Sequence, residues 1–211
     1  MRPPHPERTF IDGPAGRLEL LVNEPAGPRR GIVLIAHPHP LYGGTMENKV
    51  VNTLARTFTQ MGNLSLRCNF RGVGKSEGLY DEGRGETEDM LAVAAYARQR
   101  AGDLPILLSG FSFGGFVQSR VAQYLHPQRM VLVAPAVGRF DVEKVPKNTL
   151  IIHGEHDDVV SLSEILEWAR PQQLPVLVLP GAGHFFHGQL HCLHDMVIAA
   201  AHGWSPPPGA H

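Results

Sequence analysis

Pro105-Ile-Leu-Leu-Ser109-Gly110-Phe111-Ser112-Phe113-Gly114-Gly115 is an apolar run of strand length that breaks into a serine set between glycines. Helical spacing follows from residue 113 to 125. A serine on so sharp a strand-to-helix turn has strained backbone angles, and the residues two positions to either side must leave it room. Glycine at 110 and 114 supplies that room. The turn also puts Ser112 at a helix N-terminus, where free N–H groups and the helix dipole favour developing negative charge. Gly115 adds a second small residue for close helix–sheet approach. A chance Gly-x-Ser-x-Gly match is common in a chain with 23 glycines. The strand–turn–helix setting is what gives this one weight.

Further runs of strand length cover residues 18–22, 31–36, 64–70, 130–134, 149–152 and 176–179. Most lack polar alternation, which fits strands buried on both faces of a parallel sheet. Helical segments lie between them at 46–61, 86–100, 113–125, 162–170 and 190–201. The first carries Val50, Leu54 and Phe58 at steps of four; the second opens on Glu86, Glu88 and Asp89 and closes on Arg98 and Arg100, in accord with the helix dipole. Alternating strands and helices predict one α/β domain over residues 1–211, a mostly parallel, doubly wound sheet flanked by helices. Residues 205–211 have little to pack and are expected to fray.

An activated serine needs a base, and the base needs an orienting carboxylate. The strand at 149–152 runs into His153-Gly-Glu155-His-Asp157-Asp158, so Asp157 and Asp158 are both candidates and Glu155 a weaker one. The strand at 176–179 runs into Pro180-Gly-Ala-Gly-His184-Phe185-Phe186. That loop delivers one histidine followed by two aromatics able to wall it from water. Each element falls at a strand end, where α/β sheets build their sites.

The chain resembles the α/β-hydrolase superfamily, and more closely its small, lidless branch related to dienelactone hydrolases. The resemblance rests on His37-Pro-His-Pro-Leu-Tyr-Gly-Gly-Thr-Met-Glu-Asn-Lys-Val-Val51, on Asn69-Phe-Arg-Gly-Val-Gly-Lys-Ser-Glu-Gly78, and on the serine turn and the two loops just quoted. These blocks span about residues 31 to 187, and the first is the most specific to that branch. The order serine, acid, histidine is that of the superfamily. Residue by residue, the resemblance implies Ser112 as nucleophile, Asp157 as orienting acid and His184 as base, with Asp158 the runner-up. Dienelactone hydrolases carry cysteine where this chain has Ser112, so their substrate does not carry over.

Acyl transfer needs two donors aimed at the tetrahedral oxyanion. One is the backbone N–H of Phe113, the residue after the serine. The other should come from His37-Pro38-His39-Pro40-Leu41, where neither proline has an N–H to give; His39 and Leu41 remain. The resemblance favours His39, leaving the imidazoles of His37 and His39 to pack or hydrogen-bond nearby. Arg71 reads as a structural arginine sooner than a substrate-facing one. Only eleven residues, 137–147, separate the strand after the serine helix from the acid strand, too few for a helical cap. The site should therefore be open, lined by Leu41, Tyr42, Phe111, Phe113, Phe140 and Phe185, with Val159 at the rim.

Composition narrows the rest. Nineteen Lys+Arg against twenty Asp+Glu give a net charge of −1, which leaves no basic footprint for nucleic acid or an anionic membrane. Two cysteines, Cys68 and Cys192, form at most one disulfide. The N-terminus lacks the apolar run of a signal peptide, so a cytoplasmic location is the default. Twelve histidines raise the question of metal. His184, His187, His191 and His194 are spaced for one helix face, but the predicted helix starts only near 190 and no HExxH is present. The reading is a hydrolase of carboxylic esters, thioesters or lactones acting on a small acyl substrate, with no cofactor and no metal. A peptidase, a non-catalytic binding module on the same fold and a histidine metalloenzyme are the rivals.

Overall fold

The structure is a computed structural model that describes residues 5–202. It is built on one sheet of eight strands: β1 (Glu7–Gly13), β2 (Gly16–Asn23), β3 (Gly31–Ala36), β4 (Asn63–Cys68), β5 (Ile106–Phe111), β6 (Arg129–Val133), β7 (Thr149–Gly154) and β8 (Val176–Leu179). Their spatial order is β1-β2-β4-β3-β5-β6-β7-β8. The β1–β2 and β2–β4 pairs are antiparallel and every later pair is parallel. Five helices, α1 (Lys49–Gln60), α2 (Arg84–Ala101), α3 (Phe113–Leu125), α4 (Leu162–Ala169) and α5 (Leu190–His202), connect or follow the strands.

The unbroken apolar runs are explained by burial on both faces. In β3, Ile32, Leu34 and Ala36 join a core with Met90 and Val93 of α2, Val117 and Val121 of α3 and Ile165 of α4. Val33 and Ile35 point the other way, into a core with Val50, Leu54 and Phe58 of α1 and Leu193 and Val197 of α5. With both faces of β3 against an apolar core, all its side chains are apolar. The starts of α1 and α4 are fixed by side chains: Asn48 Oδ1 accepts from Val50 N–H at 2.9 Å, and Ser161 and Glu164 cap α4 reciprocally.

One strand departs from the sequence expectation. β1 forms a hairpin with β2, from Glu7↔Val22 to Gly13↔Gly16. It sits at the sheet edge with its residues exposed or half-buried, so its apolar content is too low to announce a strand. Cys68 lies in the core and Cys192 on α5, and both are free thiols. No helix among the described residues is long and apolar enough to cross a membrane. The expected frayed tail, 205–211, lies outside the described residues.

The strand order places the site. From β3 the chain crosses through α1 to β4 on one side; from β4 it crosses back through α2 to β5 on the other. The loops leaving the C-terminal ends of β3 and β5 therefore diverge and leave a crevice between them, the usual ligand position in an open α/β sheet.

Candidate active site

Ser112 stands at that crevice, between the end of β5 and the start of α3, with φ 55° and ψ −119°. A positive φ is costly for a residue with a Cβ, and the neighbours hold it there. Ser112 N–H donates to Val133 O at 3.0 Å, and its carbonyl accepts from Gly115 and Ala136 N–H. The flanking glycines are required: a Cβ on Gly110 would stand 2.4 Å from Gly114 O, and one on Gly114 would stand 2.2 Å from Ala36 O. The serine is buried except for 8% of its surface.

His184 Nε2 lies 3.0 Å from Ser112 Oγ, and His184 Nδ1 donates to Asp157 Oδ2 at 2.8 Å. The structure thus brings the three residues named from the sequence into one hydrogen-bonded relay. Asp157 is held from its other side, because Oδ1 accepts from Val159 N–H at 2.9 Å and Val160 N–H at 2.8 Å. Burial works against its charge, but His184 and the two N–H groups outweigh it and keep the carboxyl below the usual carboxylate range. Asp158 is exposed and makes no hydrogen bond to the relay. Glu155 supports the histidine loop instead, accepting from Gly181 N–H at 2.8 Å.

The loop after β3 forms the facing wall. Its residues Pro40–Tyr42 make one 3-10 turn, and the His39 side chain caps it by accepting from Leu41 N–H at 3.2 Å. That bond occupies one of the two candidate donors. The His39 and Phe113 N–H groups have no hydrogen-bond partner among the described residues. The His39 ring packs 4.8 Å from that of Phe113, and its Nε2 meets Tyr80 Oη at 3.1 Å. Tyr80 is a contact that no sequence motif signalled. His153, quoted from the sequence only as the start of the acid loop, is fully buried, donates Nε2–H to Val160 O at 3.0 Å and lies 3.7 Å from Asp157 Oδ2.

Two expected lining residues and one expected shield of the histidine need correction. Phe111 is fully buried beneath the His184 ring, at 4.9 Å between centroids, so it supports the histidine and lines nothing. Phe113 is also fully buried, within the α2–α3 core. Phe186, one of the two aromatics expected to shield the histidine, turns into the opposite core at φ 51°. Phe185 alone packs edge-on against His184, at 5.1 Å. Leu41 and Tyr42, 67% and 87% exposed, and half-buried Phe140 remain on the open side, with Val159 exposed nearby. The segment between β6 and β7 holds no helix, only a bridge between Val137 and Phe140.

Arg71 is structural. Its guanidinium grips Asp89 through Nε and Nη2 at 2.8–3.2 Å, and its own N–H donates to the same carboxylate at 2.9 Å. The other histidines are dispersed: His187 packs on Phe185, while His194 bonds Asp195 and, across α1, Gln60.

The family described as serine aminopeptidase, S33, matches residues 27–148, which span β3 to the threshold of β7. The chain belongs to this family of α/β hydrolases. The hydrolase is 31% identical over 201 residues to an uncharacterized protein of Rickettsia prowazekii, a match covering 84% of this chain and 81% of the relative. A Xanthomonas campestris protein described as an α/β serine hydrolase without lid superposes with a TM-score of 0.92 at 34% identity, covering 98% of each chain. An α/β serine hydrolase homologue from Coxiella burnetii gives 0.84 at 37% identity, covering 94% of this hydrolase and 99% of that chain.

Proposed function

We propose that this hydrolase cleaves carboxylic esters of small acyl groups through an acyl-enzyme. The observation that carries this reading is the continuous relay from Ser112 Oγ through His184 to Asp157, begun by a serine held at positive φ. His184 Nε2 takes the hydroxyl proton as Oγ attacks the acyl carbon, then returns it to the leaving oxygen. Asp157 fixes the tautomer that leaves Nε2 free to accept and stabilises the imidazolium that forms. The His39 and Phe113 N–H groups receive the oxyanion; losing one such donor typically costs about 10²–10³ in kcat. Water then repeats the cycle and frees the acid.

An exposed rim of Leu41, Tyr42, Phe140 and Phe185 and the absence of a helix between β6 and β7 favour an ester that lies across an open surface. Thioesters and lactones fit the same chemistry. The balanced charge supports a small-molecule substrate over a polyanion. Hydrolysis of p-nitrophenyl acetate by wild type and Ser112→Ala tests the reading. Turnover should vanish in the variant. Equal rates would dismiss it in favour of a binding module on the same fold.

A further inference from the structure

His37 has no place in the relay, yet it is fully buried beside it and both its ring nitrogens are engaged. Nδ1 lies 2.6 Å from Pro38 O, and a carbonyl can only accept, so Nδ1 carries the proton. Nε2 accepts from Phe70 N–H at 3.1 Å, and the ring lies 4.3 Å from that of Phe70. One neutral tautomer is thereby fixed, and it ties the β3 loop to the end of β4.

The Pro38 carbonyl belongs to the same peptide plane as the His39 N–H. No peptide in the described chain is cis, so the two groups point in opposite directions. Whatever fixes the carbonyl fixes the N–H. A second feature presses on the same oxygen: a Cβ on Gly44 would stand 2.0 Å from Pro38 O. Gly44 lies outside the left-handed region, so its lack of a side chain is explained by this approach and not by its φ. The carbonyl is seated between the His37 ring and the bare Cα of Gly44.

We propose that His37 is a positioning residue, whose imidazole seats the Pro38 carbonyl against Gly44 and so aims the His39 N–H at the oxyanion. This rests on the esterase reading above. It gives a physical reason for the spacing of His37 and Gly44 around the two prolines: the prolines remove competing donors, the histidine anchors the one useful peptide, and the glycine makes its seat.

Three variants test it: His37→Leu removes the donor, His37→Asn keeps an N–H near the position of Nδ1, and Gly44→Ala pushes on the carbonyl from the other side. The readouts are kcat and KM for p-nitrophenyl acetate, the affinity of a trifluoromethyl ketone that forms a hemiketal oxyanion on Ser112, and the thermal midpoint. For His37→Leu and Gly44→Ala, kcat should fall on the order of 10²-fold. KM should change little, and ketone affinity should fall in parallel with kcat/KM. His37→Asn should recover most of the loss. A merely structural role would lower the midpoint and the active fraction while leaving ketone affinity of the folded fraction intact, which overturns the proposal. So would a folded Gly44→Ala with wild-type kcat, and that variant decides the matter if His37→Leu does not fold. Failure of the underlying reading looks different: wild-type turnover would then survive Ser112→Ala.

Discussion

Asp157→Asn isolates the orienting role of the carboxylate, because the structure dictates how the amide must sit. Asp157 Oδ1 accepts from two N–H groups, those of Val159 and Val160. An asparagine that turned its NH₂ toward them would leave both donors without an acceptor, at about 1–3 kcal/mol each. The amide oxygen therefore stays with the loop, and its NH₂ faces His184 Nδ1, 2.8 Å away in the wild type. Two donors cannot share that contact, so Nδ1 must give up its proton and Nε2 must hold one. Nε2 then donates to Ser112 Oγ and can no longer take its proton. The wrong tautomer costs about 10⁴ in kcat, or roughly 5 kcal/mol of barrier, with the loop bonds intact and the fold little changed. Steady-state hydrolysis of p-nitrophenyl acetate, with the thermal midpoint as control, measures it. Asp158→Asn, on an exposed side chain one residue on, should stay at wild-type rate. A folded Asp157→Asn within tenfold of wild type would mean that the carboxylate does not set the His184 tautomer.

Three further outcomes rest on other contacts. Arg71→Ala should cost about 3–5 kcal/mol in denaturant unfolding, because it strands the fully buried Asp89 carboxylate; a loss under 1 kcal/mol would mean that the pair is not buried as described. Gly114→Ala should leave little folded protein, since its Cβ would run into the backbone at both Ala36 and His37; a stable variant with normal kcat would contradict the tight packing of α3 on the β3 end. Acid should destabilise the fold through His37, whose burial lowers its pKa to about 4. The unfolded chain takes up that proton near pH 6.5 and the folded chain does not, so stability falls as pH drops from 6.5 to 4, by about 3 kcal/mol in all. Depressed Asp157 adds to the loss lower down, as pH falls through its folded-state pKa. In His37→Asn the upper part of this acid limb should flatten, and an unchanged unfolding profile would count against a neutral, buried His37.

The sequence carried the central strands and the relay because both are local signals. β3 and β8 lie at the expected residues, and each site residue follows a strand that its own apolar run announces. What escaped depends on sidedness or on distant contacts. β1 escaped because an edge hairpin needs few apolar residues. Phe111 was misassigned to the surface although it alternates with Gly110 and shares a face of β5 with Leu107, and both belong to the α1–α5 core. The contact from Tyr80 to His39 spans 41 residues, and only the fold closes it. Arg71 could be read as structural, but its partner Asp89, on the buried side of α2, could not be named before the helix was placed.

The proposed function stands on Ser112 as a nucleophile activated by His184. Incubation of the purified protein with a fluorophosphonate, followed by peptide mass spectrometry, tests it without any choice of ester. One phosphonyl group per chain on Ser112 is expected, slowed by several orders of magnitude in His184→Ala and absent in Ser112→Ala. An unlabelled Ser112 in folded wild-type protein, or labelling at the same rate without His184, would contradict it.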